Sequence, residues 1–181
     1  HRVDVQGVVA LVTLATHGAN FVAVKTDGVV NERARHIGRA GGLLLVVLTA
    51  ASLAATFAVR PTILANFATR PWGYALPVLV VAALAAMIWF RIRPNDRAAF
   101  AASTAYIVSM LCGAAFALYP ALLPASTSPE FDLTVHNAAT TPYAMSVGLV
   151  WWSIGIVLAI GYFVFLYRTF AGKVTSDGEG Y

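Results

Sequence analysis

The chain has 181 residues, of which 59% are hydrophobic and only 11% are charged, and its formal net charge is +4. Soluble domains carry about 25% charged residues, so this composition excludes an ordinary water-exposed surface. The basic residues lie in short segments between long apolar blocks, where they indicate membrane topology and not nucleic-acid binding. We therefore expect an integral membrane protein.

Five apolar blocks approach the roughly 20 residues that a helix needs to cross a bilayer. In chain order they lie at about 5–24, 37–59, 74–90, 98–119 and 144–167. Helices are expected because lipid offers no hydrogen-bond partners to backbone N–H and C=O groups. The sequence thus predicts an all-α fold in which residues 1–181 form a single domain, a bundle of about five transmembrane helices.

The distribution of Lys and Arg predicts the orientation of these helices. Nine basic residues lie in the first loop, the third loop and the tail, against three on the other side: Lys25, Arg33, Arg35, Arg39, Arg91, Arg93, Arg97, Arg168 and Lys173, against Arg2, Arg60 and Arg70. Cytoplasmic loops carry the excess of such residues. We therefore expect a cytoplasmic C-terminus and an outside location for the loop 120–141.

Small residues predict where helices approach one another. Gly38, Gly41 and Gly42 begin the second span, and the fifth span contains glycines at 148, 155 and 161. Small side chains allow close backbone contact in lipid, although glycine is also generally common in membrane helices. Cys112 lies within the fourth span, and a lone cysteine there is expected to be a small packing residue.

His17 is the one histidine within a predicted span, and two interpretations are open. It could be a haem ligand, but its segment supplies no matched second ligand at helical spacing. Asn20 lies three residues further along and shares the same helix face. The pair is more typical of polar contacts that hold neighbouring membrane helices together, with Gly18 expected to allow the close approach.

The acidic residues and the remaining histidines give no catalytic pattern. The eight acids all lie in loops, helix ends or the tail: Asp4, Asp27, Glu32, Asp96, Glu130, Asp132, Asp177 and Glu179. His136 lies near Glu130 and Asp132, so a weak cation site is conceivable, but hydroxyl groups, Asn and Pro favour an ordered structural loop. Asp27 and Gly28 predict a turn. We assign no catalytic, cofactor-binding or metal-binding residue.

Two stretches are more specific than the composition. The first begins with His17, Gly18 and Ala19, continues through Lys25 to Gly28, and is followed by residues 32–35. The second covers residues 118–127 and 133–143, with Pro120 and Pro124 near its start. Both resemble subunit II of the cytochrome bd-type quinol oxidases, including the cyanide-insensitive branch. The resemblance covers essentially the whole chain and matches the second half of the family's subunit.

The resemblance implies a role within a respiratory complex of the bacterial plasma (inner) membrane. Such an oxidase takes electrons from membrane quinol and reduces dioxygen to water. Subunit I generally carries two b-type haems, haem d and the quinol site, and subunit II packs against it. This chain would then be a non-haem structural part that binds no cofactor itself. Its expected partners are subunit I, the missing N-terminal half of its own subunit, lipids and a small accessory subunit.

Two other functions compete with this interpretation. Half of a multi-pass transporter or permease would place ionisable groups or broken helices near the middle of the membrane, and the predicted spans carry no charge there. A membrane cytochrome would need paired axial ligands on facing helices, and only His17 is suitably located. The chain begins at His1 with a full-length span soon after Asp4, so we expect it to be a fragment of a longer subunit.

The basic-residue asymmetry makes a testable prediction of orientation. A cysteine introduced at Ser128 should react with a membrane-impermeant thiol reagent added to intact cells, because the loop 120–141 is expected outside. A cysteine at Asn95 should react only after the membrane is opened. The parent protein, which retains Cys112, gives the background, and the reverse labelling pattern would contradict the orientation.

Overall fold

The computed structural model describes residues 2–59, 63–93, 95–125 and 127–173. It contains six α-helices, two short strands and the 3-10 turns Pro71–Tyr74 and Pro129–Phe131. The helices are α1 (Arg2–Lys25), α2 (Gly28–Val59), α3 (Ile63–Thr69), α4 (Ala75–Ile92), α5 (Asp96–Leu118) and α6 (Pro142–Thr169); the strands are β1 (Ala121–Leu123) and β2 (Leu133–Thr134). Five of the described helices are long and apolar enough to cross a membrane, which confirms the predicted fold class.

The second helix begins earlier than predicted. The expected span started near residue 37, whereas α2 begins at Gly28, directly after the predicted turn, where Gly28 has φ of 64°. Strong helix formers such as Arg, Glu and Ala fill the polar segment, and a helix needs no apolar surface once it leaves the hydrocarbon. The prediction that Arg33, Arg35 and Arg39 lie in a loop is therefore wrong, since all three lie on α2.

Two connecting segments contain short elements that the sequence did not predict, and four residues named in the sequence analysis lie outside the described ranges. The segment between the second and third spans contains α3, and the loop 120–141 contains the two strands, none of which the sequence predicted. Elements of two to seven residues give too short a pattern to be recognised. His1, Arg60, Asp177 and Glu179 lie outside the described residues.

The described chain divides into two compact units. One unit is built on α1 to α5 together with Lys173, and the other is Leu118–Gly172. In the second unit β1 pairs antiparallel with β2, so that Ala121 faces Thr134 and Leu123 faces Leu133. The helix α6 then begins at Pro142, where the side chain of Thr141 accepts a hydrogen bond from the backbone N–H of Ala144 at 3.3 Å.

The core of the first unit lies where α2, α4 and α5 meet. Its members are Leu45, Val80, Ala83, Leu84, Met87, Ala102 and Tyr106. Tyr106 is only 1% exposed, and its hydroxyl lies 2.7 Å from the hydroxyl of Thr49 on α2. The apolar core therefore also contains a polar contact that links α5 to α2.

Glycines bring α2 against its neighbours, as predicted. A Cβ atom on Gly41 would overlap the side chain of Thr16 on α1, and one on Gly42 would lie 3.2 Å from Met87 on α4. Gly18 faces open space, so the expectation that it provides a close approach on α1 is wrong. Cys112 is exposed on α5 and does not pack within its own unit.

A cluster of aromatic side chains lies at the end of the first unit opposite the basic loops. The ring of Phe116 lies edge-on to Trp72, with centroids 4.7 Å apart, and contacts Phe67 at 5.1 Å. Gly73 is buried there, and it must be glycine because a Cβ atom would overlap the ring of Phe116. Asn66 donates to the carbonyl of Ala117 at 3.0 Å and so satisfies part of the C-terminal end of α5.

The α1–α2 contact makes a stability prediction. Gly41→Ala should lower the free energy of unfolding by about 1–3 kcal/mol relative to Gly18→Ala, because the new methyl group crowds Thr16. Both variants gain the same helix propensity, so Gly18→Ala is the matched control. The measurement is unfolding of the solubilised protein.

Adding Thr16→Ala to Gly41→Ala should restore part of the lost stability. The nearest atom to the new Cβ is the Thr16 hydroxyl oxygen, and that atom is removed. Equal stability of Gly41→Ala and Gly18→Ala would contradict close packing at this contact.

Candidate functional site

A buried polar network joins four helices near one end of the first unit. Its centre is Arg91, in the last turn of α4, whose side chain is only 2% exposed. Arg91 Nη1 lies 3.1 Å from Asp96 Oδ1 on α5, and Nη2 donates to the side-chain oxygen of Asn20 on α1. Arg35 of α2 lies on the other side of Asp96, with its Nε 3.5 Å from the same oxygen.

Asn31 of α2 extends this network to the end of α1. Its side-chain nitrogen donates to the carbonyls of Ala23 at 2.6 Å and Thr26 at 3.2 Å, and lies 3.3 Å from Asp96 Oδ2. The last carbonyls of a helix have no partner within the helix. One amide group therefore satisfies the end of α1 and also fixes α2 to the beginning of α5.

The network depends on a glycine opposite Asn20. Asn20 is fully buried, and a Cβ atom on Gly38 would lie 2.6 Å from its side-chain oxygen. Only glycine leaves room for that amide between α1 and α2. At the same end of the unit, Lys173 pairs with Asp27 at 2.6 Å, so the first and third loops and the start of the tail meet there.

His17 connects α1 to α5, as its position beside Asn20 predicted. Its Nδ1 lies 2.8 Å from Ser103 Oγ, and its ring stacks on Phe100 with centroids 4.8 Å apart. Ser103 donates its hydroxyl proton to the carbonyl of Phe100 at 2.7 Å. When Ser103 donates to Phe100 in this way, the ring Nδ1–H is the donor of the contact to Ser103.

The structure does not gather the loop residues of the conceivable cation site into a cluster. Asp132 accepts a hydrogen bond from the backbone of Ala125 at 2.6 Å, and Asn137 donates to the carbonyl of Asp132 at 2.9 Å. His136 is exposed, and its backbone N–H donates to Thr134 at 3.3 Å. Within the described ranges, no three His, Cys, Asp or Glu side chains lie close enough to hold a metal ion.

Sequence reasoning missed the two charged residues at the centre of the network. The prediction that Arg91 lies in the third loop is wrong, since Arg91 is buried within α4. Asp96 is the first residue of α5 and so lies at a helix end, as expected, but its pairing with Arg91 was not predicted. The apolar run of the third span continues past Arg91 to Ile92, which was a signal that this arginine lies within a helix. An arginine in that position requires a polar partner, and Asp96 follows five residues later.

The fold and the network together define a multi-pass membrane protein whose helices are joined by buried polar contacts. The chain belongs to the family of cytochrome bd terminal oxidase subunit II, whose sequence model matches residues 5–170. The resemblance found in the sequence is thereby confirmed.

A relative in Haemophilus influenzae supports the same assignment. The chain is 24% identical to a probable cytochrome oxidase subunit 2 over 198 aligned positions, which cover 94% of this chain and 52% of the relative. The chain thus spans about half the length of the curated relative that it matches.

The contact between His17 and Ser103 can be tested by a double-mutant cycle. His17→Ala and Ser103→Ala should each lower stability, and the double variant should show a coupling of about 0.6 kcal/mol, the average for hydrogen bonds between membrane helices. The measurement is unfolding of the solubilised protein. Additive effects would show that the two side chains do not interact.

The same variants separate the structural role of His17 from the haem-ligand interpretation. A complex assembled with His17→Ala should keep all of its haem absorption bands, because the segment supplies no matched second ligand at helical spacing. Loss of one haem band from a fully assembled complex would make His17 a ligand. Ser103→Ala is the control that removes the contact and leaves the imidazole.

Proposed function

We propose that this chain is a structural, non-haem part of a bd-type terminal oxidase that oxidises membrane quinol and reduces dioxygen to water. In this proposal it forms a single transmembrane domain, the C-terminal half of subunit II, and packs against the haem-bearing subunit I. The chain itself holds neither catalytic nor cofactor-binding residues. It lies in the bacterial plasma membrane with its C-terminus in the cytoplasm.

The observation that carries this proposal is how the chain uses its buried polar side chains. Arg91 binds both Asp96 and Asn20, and His17 binds Ser103. These groups therefore serve contacts between the chain's own helices. A catalytic site would instead direct such groups toward a pocket for substrate or cofactor.

The outward surface supports packing against other helices. The helix α2 exposes large aliphatic side chains, namely Leu43, Leu44, Val46, Val47 and Leu53. Faces of this kind suit lipid or the apolar surface of another membrane subunit. Subunit I and the N-terminal half of subunit II are the proposed partners, and a small accessory subunit could occupy part of the same surface.

The proposed scaffold acts on the chemistry through the environment of the haems. Two b-type haems and haem d are proposed to lie in subunit I, with quinol as the substrate of the complex. Solvent access and the surrounding dielectric tune the potential and reactivity of a haem. A helical bundle that covers one side of subunit I would exclude water from the haem sites without contacting substrate.

The scaffold role makes a prediction about activity. A bulky substitution such as Gly41→Leu should reduce the amount of assembled complex, because a large side chain strains the close contact with Thr16. Quinol-dependent oxygen uptake per haem d should remain close to that of the parent complex. The measurement is oxygen uptake, normalised to haem d, together with the ratio of the two subunits.

Gly18→Leu is the control for this experiment, since Gly18 faces open space within its unit. It should assemble at parental levels with unchanged normalised activity. If the normalised rate of Gly41→Leu collapsed while haem content and subunit ratio stayed at parental levels, this half would take part in the chemistry and the scaffold role would fail.

A further inference from the structure

A small cavity lies between α2 and α4, beside the buried network. Its volume is about 60 Å³, and its polar end is lined by Gly38, Arg39, Gly42 and Arg91. The two glycines lack side chains that would otherwise fill this space. The cavity lies at the end of the helices where the first and third loops meet, which the basic-residue asymmetry predicts to be cytoplasmic.

One buried donor beside this cavity lacks a hydrogen-bond acceptor. Arg91 is 98% buried at its side chain, and its Nε has no partner among the described residues. This nitrogen lies 3.5 Å from the position that a Cβ atom on Gly38 would occupy, so it faces the glycine that lines the cavity. An unpaired donor is strongly unfavourable in lipid, and the cavity that Arg91 lines is the nearest open volume in which an acceptor could bind.

The local charge favours an anion as that acceptor. Asp96 is shared between Arg91 at 3.1 Å and Arg35 at 3.5 Å. Arg39 adds a third guanidinium group at the cavity and is itself exposed. Two arginines thus share one carboxylate and a third lies at the cavity, and the excess positive charge attracts a negatively charged group more strongly than a water molecule.

The walls of the cavity indicate that this anion belongs to a lipid. Beyond the arginines the lining is apolar and consists of Leu43, Met87, Ile88 and Ile92. A free inorganic anion gains nothing from such walls, whereas an acyl chain packs against them. Basic pockets between membrane helices on the cytoplasmic side suit the head groups of anionic lipids.

We propose that Arg91 and Arg39 bind the phosphate of an anionic phospholipid in the cavity between α2 and α4. Arg91 Nε donates to a phosphate oxygen, Arg39 supplies the second positive charge, and the acyl chains follow the apolar walls. The site goes beyond the proposed scaffold role and does not depend on it. It would make a particular lipid part of the contact between these two helices.

The test is lipid binding to the complete purified complex, measured by native mass spectrometry. Phosphatidylglycerol should bind more tightly than phosphatidylcholine. Arg39→Gln should weaken phosphatidylglycerol binding about fivefold, which corresponds to about 1 kcal/mol for one basic residue near an anionic head group. Arg33→Gln is the matched control, because Arg33 lies exposed on the same helix outside the cavity lining.

Electron cryo-microscopy of the complex in phosphatidylglycerol nanodiscs gives a second readout that is independent of affinity. Lipid density in the cavity of the parent complex, and its loss in Arg39→Gln, would support the proposal. Equal binding to the parent, Arg39→Gln and Arg33→Gln, or a cavity that holds only water, would overturn it. Displacement of the lipid by millimolar inorganic phosphate would also overturn it, since the site would then select a free anion.

Discussion

Helices in a bilayer gain little by burying apolar surface against one another, because lipid tails already provide an apolar surrounding. Their association depends on close backbone approach and on pairing of the few polar groups. Both occur together between α1 and α2, where Gly38 and Gly41 face Asn20 and Thr16. Asn20 in turn accepts a hydrogen bond from Arg91 of α4. The missing side chain of Gly38 thus permits a contact that holds a third helix.

The charged centre of the network follows from the same constraint. A single arginine buried within a membrane helix is unfavourable unless its charge and its donors are satisfied. Asp96 supplies the charge and Asn20 supplies an uncharged acceptor for the two terminal nitrogens, so that only Nε lacks a partner among the described residues. Arg35 approaches Asp96 from α2. Because these groups come from four helices, removal of one partner leaves a buried charge on another. The network therefore fixes the arrangement of the helices more than it adds to stability.

The sequence predicted those features that depend on residues close to one another along the chain. Apolar blocks of membrane length predicted the five long helices, and the shared face of His17 and Asn20 predicted contacts between helices. The burial of Arg91 was not predictable in this way, because its partner Asn20 lies 71 residues away in the chain. The start of α2 was placed too late because hydropathy marks where a helix enters lipid and not where it begins.

The length of α2 has a mechanical consequence for the surrounding bilayer. Its 32 residues extend about 48 Å, whereas the hydrocarbon core is about 30 Å thick. A change of tilt by about 20° would move a projecting end of about 18 Å sideways by about 6 Å. Asn31 and Arg35 hold that end against α5, so α2 can change its tilt only together with α5. A bilayer of different thickness must then be matched by the first unit as a whole or by the lipid around it.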